Sequence, residues 1–581
     1  MYANEIYVTL DDPLNKEEVL DHFNKTFDFA KSQMGSAQEI ALRLTPLKEV
    51  YYTHDTTFDF NPKGHRETNY VLLGIAFLIL FIAGINFTNL TTSLIPLRLK
   101  TINTHRVLGC SIYKLQAISL IESIVICLIS YILALFIVND LSYTPIANWV
   151  DADIRLSQYK GLILLTALIA ILTGCLAGLY PAIRSTSYAP ALVLKGSFGL
   201  SPKGKKVRVA LIGFQYTVSI ALIIVTLFMG LQNHFMTSSE QLGFNKDQVA
   251  IVNLTPEIYA KHKPQYIQKL KDYPGIEDVA FSVYELSKED DMIDLEYARH
   301  EDKDVFFKVF YASENFLSVM DIQVEEGRDF TREDLNKAQS DYIINPAAER
   351  DFHLHPGDRF NDRTVLGVSK DFRFNSCRIA SSPFVFALNN DIPNPKLVSY
   401  IRFNSKTNLQ EAVAHVRETL KEIDPTFPFE ISFYNTILNN LYQKEQTLGK
   451  LISLFGIMAI LISIVGVFGL VLFETQYRRK EIGIRKINGA TTGQILLMFN
   501  KTYIRIVSVC FIISIPIAWM GTQQWLENFA YKTPLHLWVF IVAFLIILSV
   551  TIGTVTFRNW QAANENPVNS AVSYTHLRAH E

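Results

Sequence analysis

Apolar residues in this chain are gathered into blocks and not spread along it. Seven such blocks begin at Tyr70, Ala117, Gly161, Val209, Leu451, Ile504 and His536, and "GLILLTALIAILTGCLAGLY" from Gly161 is representative. Each approaches the roughly 20 residues that cross a bilayer core at about 1.5 Å per residue, so the pattern predicts seven spanning helices. Between the fourth and fifth blocks lies a long polar interval, residues 232–450. Within it the runs "DQVAIVNL", "DVFFKVFYA", "RTVLGVSKDF" and "LVSYIRF" predict strands, and "PEIYAKHKPQYIQKLKDY" and "NLQEAVAHVRETLKEID" predict helices. The predicted fold class is therefore an α-helical transmembrane bundle carrying an inserted α+β domain. About 220 residues suffice for such a domain to fold by itself, with room for two lobes.

Charge then orients the helices. Short loops rich in Lys and Arg stay on the cytoplasmic side. The loop from Ser93 to Gln116 carries Arg98, Lys100, Arg106 and Lys114 with no acid, and the loop from Ala182 to Arg208 is likewise basic. The segment from Glu474 to Tyr503 holds Arg478, Arg479, Lys480, Arg485, Lys486 and Lys501 against two glutamates, whereas the loop from Asn139 to Lys160 includes Asp140, Asp151 and Asp153. These signs alternate as seven crossings require. They place the protein in the cell membrane with the 232–450 domain outside. The same topology puts the first 69 residues outside, yet "MYANEIYVTLDDPLNKEEVL" has no signal to export it. The expectation is that an earlier spanning helix and part of an external domain precede it, and that "SYTHLRAHE" from Ser573 is a non-native tail resembling translated sequencing adapter.

Composition removes several classes of function. A net charge of −2 provides no basic excess to neutralise phosphates, so no nucleic-acid partner is expected. Of five cysteines, Cys110, Cys127, Cys175 and Cys510 fall in or beside apolar blocks, and Cys377 alone lies in the polar interval, which leaves no disulfide framework or metal spacing. Asp351, His353, His355 and Asp358 cluster in sequence but read as loop polarity without a ligand pattern. The segment "GLSPKGKK" from Gly199 approaches a nucleotide-binding loop, yet Lys206 stands where Ser or Thr must bind Mg²⁺, so it reads as a basic loop. Glu122 is the one carboxylate well within a block, close enough to the cytoplasmic end to reach the interface; Asn86 and Gln215 read as polar groups holding helices together. No catalytic residue, cofactor or metal is assigned, and the chain reads as a non-enzyme.

Internal repetition supplies the sharpest signal. A shift of 380 residues pairs Arg98 with Arg478, Lys100 with Lys480, Ile102 with Ile482 and Gly109 with Gly489, and sets His105 and Arg106 opposite Arg485 and Lys486. A second echo aligns Pro190 with Pro567. The chain reads as a tandem duplication, each half one helix, an external domain and three helices. With "RRKEIGIRKINGATTGQI" at the first cytoplasmic loop of the three-helix unit, it resembles the FtsX-like permeases of ABC transporters, in the MacB-like branch. The stretches "ASENFLSVMDIQVEEGRDF", "IINPAAERDF" and "VLGVSKDFRF" look like the periplasmic core domain of that branch.

The resemblance implies a permease or mechanotransmission subunit that couples ATP hydrolysis by a separate ABC ATPase, working as a dimer, to extracytoplasmic movement. The exported substrate would be an antimicrobial, a peptide or a lipoprotein; a periplasmic adaptor, an outer-membrane channel and membrane lipids are further implied partners. It also implies a coupling segment of Arg478, Arg479, Lys480, Glu481, Gly483, Ile484, Arg485, Lys486 and Gly489, with Arg98, Lys100, His105, Arg106 and Gly109 as the first-half counterpart. That counterpart departs from the pattern at Thr101 and Asn103. The charges alone also fit simple anchoring to anionic lipid, each worth roughly 1 kcal/mol. Control of an extracellular cell-wall hydrolase and ligand sensing are the alternative functions. The corresponding division is a first external remnant (1–69), a first three-helix unit (70–196), a linker and helix leading out (197–231), the external core domain (232–450), a second three-helix unit (451–569) and the tail (570–581).

Overall fold

A computed structural model of the chain describes residues 7–11, 15–26, 44–53, 66–149, 155–187, 202–238, 242–287, 294–300, 303–337, 339–388 and 397–564. The expected tail from Ser573 lies outside the described residues, as do most of the first 69. The chain divides into two compact units, residues 1–77 and 78–581. In the first, a helix spans Lys16–Thr26, and the Arg66 guanidinium sits 4.9 Å from the centre of the Tyr52 ring.

The described helices include seven that are long and apolar enough to cross a membrane. We label the long helices α1 (Arg66–Val107), α2 (Ile112–Leu141), α3 (Lys160–Thr186), α4 (Pro202–Thr237), α5 (Gln443–Tyr477), α7 (Thr492–Leu526) and α8 (Leu537–Asn564), and the short helix between α5 and α7 is α6 (Arg479–Ile487). Several outrun their apolar blocks. The 42 residues of α1 extend about 60 Å, twice the hydrocarbon thickness, so its basic end is helix and not the loop expected from Ser93 onward. Likewise α4 begins at Pro202, which puts Lys203 to Arg208 on the first turns of a helix, where a basic loop was expected.

Helices α2 and α3 meet through small residues. A Cβ at Gly178 would lie 2.5 Å from the Ser123 side chain, and one at Gly174 would lie 2.9 Å from the Ile124 backbone. Glycines four residues apart are what allow two helices to approach so closely without a hydrophobic drive between them. Helix α1 joins them where the Thr88 hydroxyl donates to the Ala177 carbonyl at 2.8 Å.

Helices α4, α5, α7 and α8 form a second bundle around Ile220, Phe228, Val471, Val507 and Ala543. The α4–α5 contact has a regular register. Ser219 meets Ser463 at 2.9 Å; seven residues along α4, Thr226 lies 3.3 Å from where a Gly456 Cβ would stand; seven further, Asn233 lies 2.9 Å from where a Gly449 Cβ would stand. Such a seven-residue period keeps one seam of each helix facing its antiparallel partner. The two bundles touch at Asn86 of α1, which donates to the Ile462 carbonyl at 2.6 Å, and a Gly466 Cβ would run into it. Asn86 thus does join helices, and it joins the two halves.

The interval between α4 and α5 folds on one sheet of strands β1 (Val249–Leu254), β2 (Ile276–Ser282), β3 (Asp294–His300), β4 (Lys303–Ala312), β5 (Val324–Gly327), β6 (Tyr342–Ile344), β7 (Arg359–Phe360), β8 (Arg363–Ser369), β9 (Phe384–Leu388), β10 (Leu397–Phe403) and β11 (Ile431–Phe433). The order is β11-β1-β10-β2-β4-β9-β6-β8-β5, with β3 beside β4 and β7 beside β8. Alternation along each strand feeds two cores. In β9, Val385 and Ala387 face the side covered by helices 263–271 and 409–423; Phe384, Phe386 and Leu388 face the side that also holds Met236, Tyr442 and Phe529. Burial on both faces explains why these strands read as nearly continuous apolar runs. Two lobes of the sheet, β11-β1-β10-β2 and β4-β9-β6-β8-β5, meet at Ser282↔Ala312, where the Val283 amide donates to the Tyr311 carbonyl at 3.0 Å and the Ser313 amide to the Phe281 carbonyl at 2.8 Å. The predicted helix from Pro256 is interrupted, with a wide turn at Ile258–His262 before the helix Lys263–Lys271, because Pro264 has no amide to continue the ladder.

One buried carboxylate stabilises the far lobe. Asp334, 2% exposed, accepts from Arg328 at 2.7 and 2.8 Å, from Lys337 at 2.9 Å and from the Thr331 amide at 2.9 Å. The Arg328 guanidinium, foremost, holds its pKa well below the usual carboxylate range. Because the folded value is depressed, the contribution to stability is complete above the unfolded pKa and is lost as pH falls below it. Thermal melts of the full chain in detergent should show the domain transition falling between about pH 4 and 2, with Asp334→Asn flattening that slope. The same variant should cost about 2 kcal/mol at neutral pH, since both cationic partners are part-exposed and screened. Gly178→Val should separate α2 from α3 at a cost of roughly 1–3 kcal/mol, read as a lower melting temperature of the membrane region.

Candidate functional site

Helix α5 starts beside the sheet domain, where Glu445 pairs with Arg378, and its 35 residues carry the chain about 50 Å to Tyr477. The basic segment therefore sits at the opposite end of the bundle from the sheet. At Arg478 the backbone turns out of the helix (φ −94°, ψ 7°), and α6 follows at once. Arg478 is held there by Glu474 at 3.1 Å, whose other oxygen accepts from the Tyr503 hydroxyl at 3.2 Å.

Helix α6 has charges suited to its dipole: Glu481 in the first turn, Arg485 and Lys486 in the last. Glu481 and Arg485 pair at 2.7 Å, one turn apart. Ile482 faces the bundle core and Gly483 is buried, while Ile484 and Ile487 are 51% and 69% exposed on the outer side. Ile484 and Ile487, three residues apart, thus share the exposed side of α6. Arg479 and Lys480 open α6, and their side chains lie outside the described residues.

The helix ends in a defined turn. The amides of Asn488, Gly489 and Ala490 donate to the carbonyls of Ile484, Lys486 and Arg485, and Gly489 takes φ +87°, a conformation that costs any other residue about 1 kcal/mol or more. Thr491 then caps α7 by accepting from the Gln494 amide, while the Gln494 side chain returns a bond to the Thr491 amide.

The first half repeats the glycine turn and its backbone hydrogen bonds at the same shift of 380. Leu108, Gly109 and Cys110 donate to Thr104, Arg106 and His105; Gly109 has φ +91°; Ser111 caps α2 by accepting from the Lys114 amide. Even the exposure repeats, with residues 104, 105, 107, 108 and 109 open like 484, 485, 487, 488 and 489, and Asn103 buried like Gly483. Sequence reasoning missed the exposed apolar pair Val107 and Leu108, and also the two caps, although the Thr-x-x-Gln pattern at Thr491 announces one.

What surrounds the two hairpins differs. Arg98 forms a two-bond pair with Glu122 of α2 at 2.7 and 2.8 Å, so that carboxylate has a cationic partner. Arg106 donates to the Thr186 carbonyl at the end of α3, Asn103 bonds its own helix at Leu99, and His105 is exposed with Thr101 one turn before it in place of a carboxylate. The side chain of Lys100 lies outside the described residues. The break at Arg478 has no counterpart in the first half, where α1 runs unbroken to Val107.

The other candidates do not converge on a site. Asp358 accepts from the His355 amide, His353 ends the helix Pro346–Phe352 with φ 53°, and Asp351 pairs with Arg350. His355 instead approaches Glu349 and Glu326, with its Nδ1 3.6 Å from a Glu349 oxygen. Gln215 points its carbonyl at Gly466 beside Asn86, consistent with a helix contact.

Comparison with known proteins follows the duplication. The family described as FtsX-like permease C-terminal matches twice, over residues 73–190 and 453–567. The macrolide export ATP-binding/permease protein MacB of Aggregatibacter actinomycetemcomitans is 25% identical over 212 residues, 34% of this chain and 32% of that protein. MacB of Neisseria gonorrhoeae is 25% identical over 223 residues, 36% of this chain and 34% of that protein. The chain spans about a third of the length of the curated relatives it matches. The crystal structure of the periplasmic region of MacB from Actinobacillus actinomycetemcomitans is 15% identical, covering 34% of this chain and 94% of that one, with a TM-score of 0.26.

Replacing Gly489 by Ala should weaken the second hairpin by about 1 kcal/mol or more and speed amide exchange at residues 488–495, without moving exchange in the sheet strands.

Proposed function

The chain belongs to the FtsX-like permeases, inner-membrane proteins of MacB-like ABC systems, and from that premise we propose that it transmits force between a separate cytoplasmic ATPase dimer and its extracytoplasmic domain. The observation that carries this reading is the repeated hairpin: two copies of one helix, glycine turn and capped helix, each with apolar side chains turned outward among cations. Anchoring to lipid needs only the charge. A fixed backbone turn and exposed Ile484 and Ile487 fit a socket of complementary shape, in which burying each isoleucine contributes roughly 1.5–3 kcal/mol. Glu481 serves the same end, since its bond to Arg485 keeps that guanidinium directed along the helix.

The segment Gly199 to Lys206 lacks the Ser or Thr that a nucleotide loop requires, so this reading assigns nucleotide binding to the ATPase. In this reading residues 70–196 and 451–569 are two permease units in one polypeptide, and 232–450 is the domain they move. The matched relatives are named for macrolide export; the wider cargo class of an antimicrobial, a peptide or a lipoprotein, with an adaptor and an outer-membrane channel, rests on the family resemblance.

The full chain purified in detergent should carry an ABC ATPase with it. Ile487→Asp and Glu481→Lys should each reduce the co-purified ATPase and its nucleotide turnover at least tenfold, without changing the melting temperature of the sheet domain. Wild-type protein bringing down a cell-wall hydrolase and no ATPase would instead establish the regulator.

A further inference from the structure

The loop between α7 and α8 does not simply reverse the chain. It is docked into the sheet domain. The Gln232 side chain of α4, fully buried, grips the loop backbone at two points, donating to the Tyr531 carbonyl at 3.0 Å and accepting from the Thr533 amide at 2.8 Å. From the other side, the strap of residues 373–381 between β8 and β9 holds the same loop. The Tyr531 amide donates to the Cys377 carbonyl at 3.1 Å, and the Ser381 amide donates to the Tyr531 hydroxyl at 3.2 Å.

Two arginines of the strap lock this contact through ring faces. Arg373 lies 4.1 Å from the centre of the Tyr531 ring and 5.5 Å from that of Phe235 in α4, and its buried Nη1 has no hydrogen-bond partner among the described residues. A guanidinium so placed depends on the aromatic faces, which attract it most strongly where water is excluded. Arg378 lies 4.6 Å from the buried Phe529 ring and also pairs with Glu445 of α5 at 2.7 Å. Behind it, the Tyr442 hydroxyl receives the Cys377 amide at 3.2 Å.

The mechanical consequence follows from counting attachments. The chain ties the sheet domain to the membrane at two places, the end of α4 and the start of α5, and two attachments leave rotation about the line joining them free. A third attachment removes it. Helix α7 begins at the capped hairpin of the candidate docking site and ends at this loop, so one 35-residue helix, with Pro516 inside it, connects the two.

We propose that the α7–α8 loop, residues 527–536, is a third, noncovalent strut fixing the sheet domain to α7, with Arg373 and Arg378 as its positioning residues. On the coupling reading above, displacement of the second hairpin is then delivered to the domain as a push along α7, in addition to whatever passes through α4 and α5.

The strut is tested on the full chain in nanodiscs without nucleotide or any ATPase, so its failure is distinct from failure of the coupling reading. Spin labels carried by bioorthogonal amino acids at the exposed positions Lys406 and Lys532 report the distance from sheet to loop. Wild type should give one narrow distribution. The double variant Arg373→Met, Arg378→Met should at least double its width with an unchanged melting temperature, and the double lysine variant should restore it. A wild-type distribution as broad as that of the methionine variant, or no broadening in that variant, overturns the proposal. If the methionine variant does not fold, amide exchange in wild type decides: Tyr531 and Thr533 exchanging as slowly as the β9 amides supports the strut, and exchange at unprotected loop rates overturns it.

Discussion

Two helices leave the sheet domain in opposite chain directions, and in a medium without water they can be held together only by close approach and by polar groups that find each other. The α4–α5 seam meets both demands with one seven-residue register, Ser219 against Ser463, Thr226 against Gly456 and Asn233 against Gly449. Small residues on α5 let the backbones approach, and the polar residues of α4 occupy the space thereby opened. The sheet domain is inserted between the ends of this pair, so its rigidity bears directly on how faithfully the domain follows the bundle.

The duplication is visible as a conserved backbone, while the side chains around it have diverged. Both hairpins need a left-handed residue after the helix, and both have glycine there; both need an acceptor for the first free amides of the next helix, and Ser111 and Thr491 provide it. The tethering differs. In the first half Arg98 bridges to the next helix through Glu122, whereas in the second Arg478 is tied back to Glu474 on its own helix and the helix breaks beneath it. A continuous helix transmits bending differently from a broken one, so two hairpins of equal geometry need not respond equally to the same displacement.

In the sheet domain, both faces are covered, and the two halves of the sheet meet at the short β2–β4 pairing. The lobe ending in β11 is continuous with the helices through Tyr434 and Tyr442, and the other lobe reaches them through the strap of residues 373–381. The strap thus belongs to both connections at once, which is why Arg373 and Arg378 are placed where strand, loop and helix ends meet.

The number of spanning helices, the polarity of their ends, the strands β1, β4, β8 and β10 and the shift of 380 between halves were legible in the amino-acid order, because each depends on local periodicity or on runs of charge; the other strands were not. The basic segment from Arg478 to Gly489 was legible too, since its glycines and cations fall within one short run. Helix ends were less so: basic residues predict a side of the membrane, and α1 and α4 show that they do not predict loss of helix, because Lys and Arg are good helix formers. The partners of Arg98, Arg373 and Gln232, the register of the α4–α5 seam and the docking of Tyr531 could be decided only by tertiary structure. Each joins residues far apart in the chain, and no local pattern encodes which distant group will arrive at hydrogen-bonding distance.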